Sequence, residues 1–284
     1  MSRNIVKDIE KQISNSILRT LFVSLFAIAI KIVQLSMFHN DRTGLLNQSP
    51  LSSFLGVVAV VCMLYVIVEY ILLTLKVKRL AGYVNLTTQP LIGLSLVMVA
   101  VCFFFQGIMD ILTSLTTGTS TALSSIINIL TIVSAVDYAV QGLEIVWEKR
   151  KRHFILNMVP VVWSIAVLMN VMLTYPTTVS MQSNASKVLC CALLVMFMYY
   201  TARWACGYEH QFMSAIGVFF RISFFSLTVM FVLPYCIVYL FGIKDSSQNM
   251  PYLALLGLSL YGFVVLLQYM ALSLTKIAKK LKQN

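Results

Sequence analysis

Apolar residues in this chain fall into long blocks separated by short polar or charged stretches. A helix rises 1.5 Å per residue, so about 20 apolar residues cross a hydrocarbon layer about 30 Å thick. Blocks of that order occupy Ile17–Phe38, Leu51–Leu75, Pro90–Leu115, Thr121–Trp147, Phe154–Leu173, Val188–Cys206, Ile222–Phe241 and Tyr252–Thr275. The pattern predicts an all-α integral membrane protein with eight transmembrane helices in one polytopic domain, 1–284.

Local signals refine these boundaries. In the leading segment Met1–Ser16, Ile5, Ile9, Ile13 and Ile17 recur at helical spacing. They predict either an amphipathic helix on the membrane surface or a solvated extension of the first span. That span lacks a small-residue cleavage site after its charged lead-in and is expected to be retained. Pro90 suits a first helical turn, whereas Pro160 and Pro234 predict kinks. Phe212–Phe241 is too long for one crossing and is interrupted by Arg221. An interfacial piece is therefore expected before Ile222, placing Arg221 near the inner headgroups. His39–Pro50, Thr116–Thr121 and Tyr175–Lys187 are expected to be polar connections.

Basic residues orient the array. Lys76, Lys78 and Arg79 follow the second block, Lys149–Arg152 the fourth, and Lys276, Lys279, Lys280 and Lys282 the eighth. The long connections on the other side carry single cations, Arg42, Lys187 or Lys244. This asymmetry predicts cytoplasmic N- and C-termini, with anionic inner-leaflet headgroups as the partner of the basic segments. Glu69-Tyr70, Asp137-Tyr138, Tyr199-Tyr200 and Gln268-Tyr269 recur in the inner halves of the even blocks. They suggest four parallel, pseudo-repeated hairpins around a polar centre.

Composition strengthens the assignment: 59% of the 284 residues are hydrophobic and 11% charged. Soluble domains carry about 25% charged residues, and mean hydropathy here is +0.87. The net charge of +11 lies in segments flanking the apolar blocks and forms no basic, aromatic-interleaved nucleic-acid surface. Cys62, Cys102, Cys190, Cys191, Cys206 and Cys236 lack metal or disulfide spacing and read as small apolar residues. Asn184-Ala-Ser186 matches a glycosylation acceptor on the expected outer side, a pattern frequent by chance.

Candidate chemistry lies inside the blocks, where an ionisable side chain costs at least about 2.5–3.5 kcal/mol on insertion scales. Asp137, Gln141 and Glu144 share one helical stripe, and Gln106 and Asp110 share another. With Glu69, these are the candidates for an ion or substrate pathway. Lys31 and Asp110 have similar expected depths and predict an ion pair. Arg203 and Arg221 are further structural ion-pair candidates, placed to neutralise the inner carboxylates. His39, His153 and His210 form no metal-binding motif, and no hydrolase, nucleotide or dinucleotide signature is present. Cys206 and His210 are the one spacing open to a nucleophile–base pair, in an unfamiliar context. The sequence calls for no metal or cofactor and argues against an enzyme without excluding one. It points to a carrier or channel-like protein for a small solute or ion, in the plasma or cell membrane. The alternative is a non-transporting membrane subunit, assembly or immunity-type factor whose buried charges are structural. A membrane partner subunit or a homo-oligomer fits either reading.

Overall fold

Pro50, Pro90 and Pro251 stand where helices begin, a position that tolerates their missing N–H. In the computed structural model these starts belong to a helical membrane bundle, described for residues 2–40, 45–46, 49–81, 86, 89, 90–118, 121–148, 153–174, 181–207, 215–240 and 251–283. The helices are α1 (Ser2–Phe38), α2 (Pro50–Ala81), α3 (Pro90–Thr117), α4 (Ala122–Val146), α5 (Phe154–Thr174) and α6 (Met181–Ala205). They continue with α7 (Ala215–Leu227), a π-helical turn (Thr228–Val232), α8 (Leu233–Leu240) and α9 (Tyr252–Gln283). A two-residue antiparallel pairing joins His39–Asn40 to Leu45–Leu46 after α1.

Seven of the described helices are long and apolar enough to cross a membrane, so the chain is a multi-pass integral membrane protein. The eighth expected crossing corresponds to α7, the π turn and α8, whose apolar part Ile216–Val232 is shorter. No break precedes Ile222, because Arg221 lies inside α7 and is 1% exposed. The expected separate piece before Ile222 is therefore not found, and Arg221 is enclosed by protein. The irregularity comes later, where the N–H of Leu233 bonds the Thr228 carbonyl directly before Pro234. Pro234 has no N–H to donate, and the widened π turn sits in the turn preceding it.

Two other boundaries bear on the expectations. The leading segment is continuous with the first span in α1, as the extension alternative requires. Helix α6 begins at Met181, so Asn184-Ala-Ser186 occupies its first turns rather than a loop. Among the connections, Gly118 closes α3 at φ 64, and its N–H bonds the Ser114 carbonyl. Thr121 then starts α4 through a reciprocal capping box with Ser124. Residues 41–44, 175–180, 208–214 and 241–250, and the basic run Lys149–Arg152, lie outside the described residues.

Packing departs from a ring of four hairpins. Consecutive helices α1/α2, α3/α4 and α5/α6 pair closely, but α9 packs most extensively on α3 and also touches α1, α2, α7 and the π turn. Within its apolar window α9 is 61% buried, against 22% for α1. Leu255, Leu258, Tyr261, Val265 and Tyr269 of α9 are all fully enclosed. An apolar helix therefore fills the centre where a polar axis was expected. Around it Phe103 meets Tyr138 and Trp163 at centroid distances of 5.3 and 4.7 Å, and Phe197 stacks on Phe224 at 5.0 Å. Phe22, Leu25, Phe54, Phe105, Leu112 and Ile155 are exposed on the perimeter, as lipid-facing residues should be.

Candidate functional site

The C-terminal half of α4 carries a polar stripe through an otherwise apolar helix. Ser134, Asp137, Gln141 and Glu144 recur at three- and four-residue steps and so share one face. Asp137 is 0% exposed. Its Oδ2 accepts a hydrogen bond from Gln141 Nε2 at 2.7 Å, while Oδ1 has no hydrogen-bond partner among the described residues. One turn earlier in α4, Ser134 Oγ is likewise buried and has no hydrogen-bond partner among the described residues.

Helix α5 packs against α4 and continues the polar character. Glu144 Oε1 meets His153 Nε2 at 2.9 Å just before α5 begins, with side-chain exposures of 16% and 39%. Asn157, four residues on, is buried, with Nδ2 directed to Cys206 Sγ at 4.0 Å and Oδ1 unbonded. Accessibility thus falls from His153 through Glu144 to Asp137, which is sealed. Trp163 Nε1 donates to Thr131 Oγ1 at 2.8 Å beyond it, and the Phe103, Tyr138 and Trp163 rings close that end. Tyr138 also donates to Met198 Sδ at 3.1 Å. An orphaned carboxylate oxygen, amide oxygen and hydroxyl on neighbouring helices are suited to accept a proton or a cation.

Glu69 is elsewhere. It accepts from Ser16 Oγ at 2.5 Å and lines a cleft of about 270 Å³ between α1 and α2, with Arg19 and Lys76. Helix α2 packs on α1, α7 and α9, and α4 packs on α3 and α5. Glu69 and Asp137 therefore do not form the paired inner carboxylates their common depth suggested.

Lys31 and Asp110, with their polar neighbours, also form two separate groups. Lys31 is 7% exposed, donates to Gln34 Oε1 at 2.6 Å, and lies 5.0 Å from the Phe231 ring centroid in the π turn. Gln34 Nε2 in turn donates to the Ser52 carbonyl at 2.8 Å. Asp110 Oδ1 accepts from Gln106 Nε2 at 2.8 Å, and Gln106 Oε1 accepts the Leu253 N–H at 3.0 Å. Gln106 thereby ties α3 to the first turn of α9. The expected Lys31–Asp110 ion pair is absent among the described residues: α1 packs on α2, α8, α9 and the π turn, and α3 packs on α4 and α9, so α9 is the neighbour that the two helices share.

Arg203 donates to the Tyr199 hydroxyl at 3.1 Å and stands over its ring at 5.4 Å. The Arg221 stem packs against Gly262, where an added Cβ would meet Cγ at 3.4 Å. Among the described residues no three His, Cys, Asp or Glu side chains gather as metal ligands. His210, the base in the Cys206 pair, lies outside the described residues. Sequence spacing missed Ser134, although it continues the Asp137 stripe by one turn, and Asn157, a lone polar residue in an apolar helix. No protein-family profile, curated protein or solved structure matches the chain.

Proposed function

We propose that this protein is a carrier for a small solute or ion in the cell membrane, with Asp137 as the group that takes up and releases a proton or cation. One observation carries the reading. Asp137 is sealed from solvent with one carboxylate oxygen unbonded, at the blind end of a polar stripe that becomes accessible at Glu144 and His153. A carboxylate held only for packing would be expected to have both oxygens satisfied, because an unmet buried acceptor costs about 1–3 kcal/mol. A group that must exchange its ligand is better served by an open valence. The proposed pathway reduces to Asp137, Gln141 and Glu144, with Ser134 added; Glu69, Gln106 and Asp110 fall outside it.

The proposal includes eight crossings with both termini cytoplasmic. Counting α7, the π turn and α8 as one crossing supports it, as does the bias of Lys and Arg toward one side. The test uses full-length protein in vesicles containing a pH-sensitive dye, challenged with gradients of sodium, potassium or small organic solutes. Asp137→Asn keeps the shape and should abolish gradient-driven proton movement while leaving a monodisperse protein. Flux equal to that of the parent would remove Asp137 from the mechanism.

A second reading, a non-transporting membrane subunit or assembly factor with structural charges, draws on the outer groups. Gln106 joining α3 to α9 and Gln34 joining α1 to α2 use polar residues to lock helices. Under that reading no gradient drives proton movement, and Asp137→Asn alters only the unfolding temperature.

A further inference from the structure

The cleft between α1 and α2 is built from two matching stripes. Gln12, Asn15, Ser16 and Arg19 line it from α1, and Glu69, Leu72, Leu73 and Lys76 from α2. Both sets step three, four and seven residues, so each is one helical face turned toward the other. Lys76 Nζ donates to Gln12 Oε1 at 2.6 Å across the gap, and Ser16 Oγ donates to Glu69 deeper in. Glu69 is occupied by Ser16, whereas the Arg19 guanidinium is exposed and forms no hydrogen bond or ion pair with the described residues. Arg19 lies two positions inside the apolar block that starts at Ile17, about 3 Å along the helix axis and so at the level of the headgroups. Its neighbours Leu18, Phe22 and Leu72 are 55%, 65% and 60% exposed and belong to the lipid-facing surface. An arginine at that level, beside lipid and with no ion pair to a described residue, is placed to meet a headgroup anion.

We infer that this cleft binds one anionic phospholipid of the adjacent leaflet, its phosphate held by Arg19 and Lys76. The planar guanidinium offers two parallel N–H donors to phosphate oxygens, and Lys76 supplies a second charge nearer the helix end. The Gln12, Asn15 and Ser16 side chains fit the glycerol and headgroup hydroxyls. A volume of about 270 Å³ is near the lower limit of small-molecule pockets, roughly 300 Å³, and admits a headgroup while the acyl chains lie outside on Phe22 and Leu72. The leaflet is the cytoplasmic one in the proposed orientation. The inference rests on membrane residence and not on any role of Asp137.

The test is native mass spectrometry of the full-length protein released from nanodiscs of phosphatidylcholine containing phosphatidylglycerol. The parent should retain one phosphatidylglycerol in preference to phosphatidylcholine. Arg19→Gln and Lys76→Gln should each lower that retention by about fivefold, as expected for one headgroup-facing charge. Lys279→Gln, an exposed cation in the basic tail, should leave it unchanged, and Lys76→Arg should restore it. Circular dichroism confirms that each variant remains helical; the exposed positions make unfolding an unexpected outcome, and Lys76→Arg tests the site if Lys76→Gln does unfold. Equal retention by the parent, Arg19→Gln and Lys76→Gln overturns the inference. So does an equal loss in Lys279→Gln, which signals diffuse charge attraction. Displacement of the lipid by millimolar inorganic phosphate overturns the lipid assignment in favour of a free-phosphate site.

Discussion

Lys31 and Asp137 are both buried ionisable residues in apolar helices, and their surroundings separate their roles. The Lys31 ammonium has a short bond to Gln34 and the Phe231 ring beside it, and Gln34 is itself fixed to Ser52. That chain of contacts holds α1 against α2 and the π turn. Removing Gln34 alone strands the ammonium, so Gln34→Leu should lower unfolding stability in detergent by about 1–3 kcal/mol. Removing both partners should cost less, because no buried charge then lacks its hydrogen bond. A Lys31→Met/Gln34→Leu double variant less stable than Gln34→Leu would contradict this. Depth along the sequence made Lys31 and Asp110 look like partners. Depth is only one coordinate, and the azimuth that separates α1 from α3 depends on tertiary packing. The Asp137, Gln141 and Glu144 stripe was legible because its members lie on one helix. The buried contact of Asn157 with Cys206 was not, since it depends on how α5 packs on α6.

At the scale of elements, α3 and α4 approach closely enough to need glycine. A Cβ on Gly142 would stand 2.7 Å from the Gly93 carbonyl oxygen and 2.8 Å from Val97 Cγ2. Small residues that let backbones meet are the usual means of joining membrane helices, where lipid removes most of the hydrophobic drive. Gly142→Leu should force the pair apart and cost at least about 1–3 kcal/mol, read as a lower unfolding temperature. An unchanged melting profile would mean that the α3/α4 contact is looser than described. Span positions for α2, α3, α5 and α9 were readable from apolar block length, with prolines and polar connections marking ends. The continuity of α7 through Arg221 was not readable. A single arginine resembles a boundary until neighbouring helices enclose it.

For the molecule as a whole, the central placement of α9 changes what the repeated polar–tyrosine pairs mean. Tyr70, Tyr138 and Tyr269 are buried and Tyr200 is half-buried, so three of the four recurrences record inward-facing positions rather than an interfacial belt. The fourth pair does not reproduce the packing of the first three, because α9 lies on α3 and on several further helices. Local sequence periods show which face of a helix is apolar; they do not show which of several apolar helices occupies the centre. Orientation remains a charge argument and has its own check. Single cysteines near the N-terminus and at Lys279, introduced into a cysteine-free background, should react with a membrane-impermeant maleimide only after cells are opened. Labelling of either in intact cells would reverse that assignment. The carrier reading rests finally on whether Asp137 changes its protonation in the folded protein. Infrared difference spectra of full-length protein in lipid, recorded across a pH titration, measure this directly. The account predicts a carboxyl C=O band that appears and disappears with pH and is missing from Asp137→Asn, whereas a titration unchanged by that substitution would contradict it.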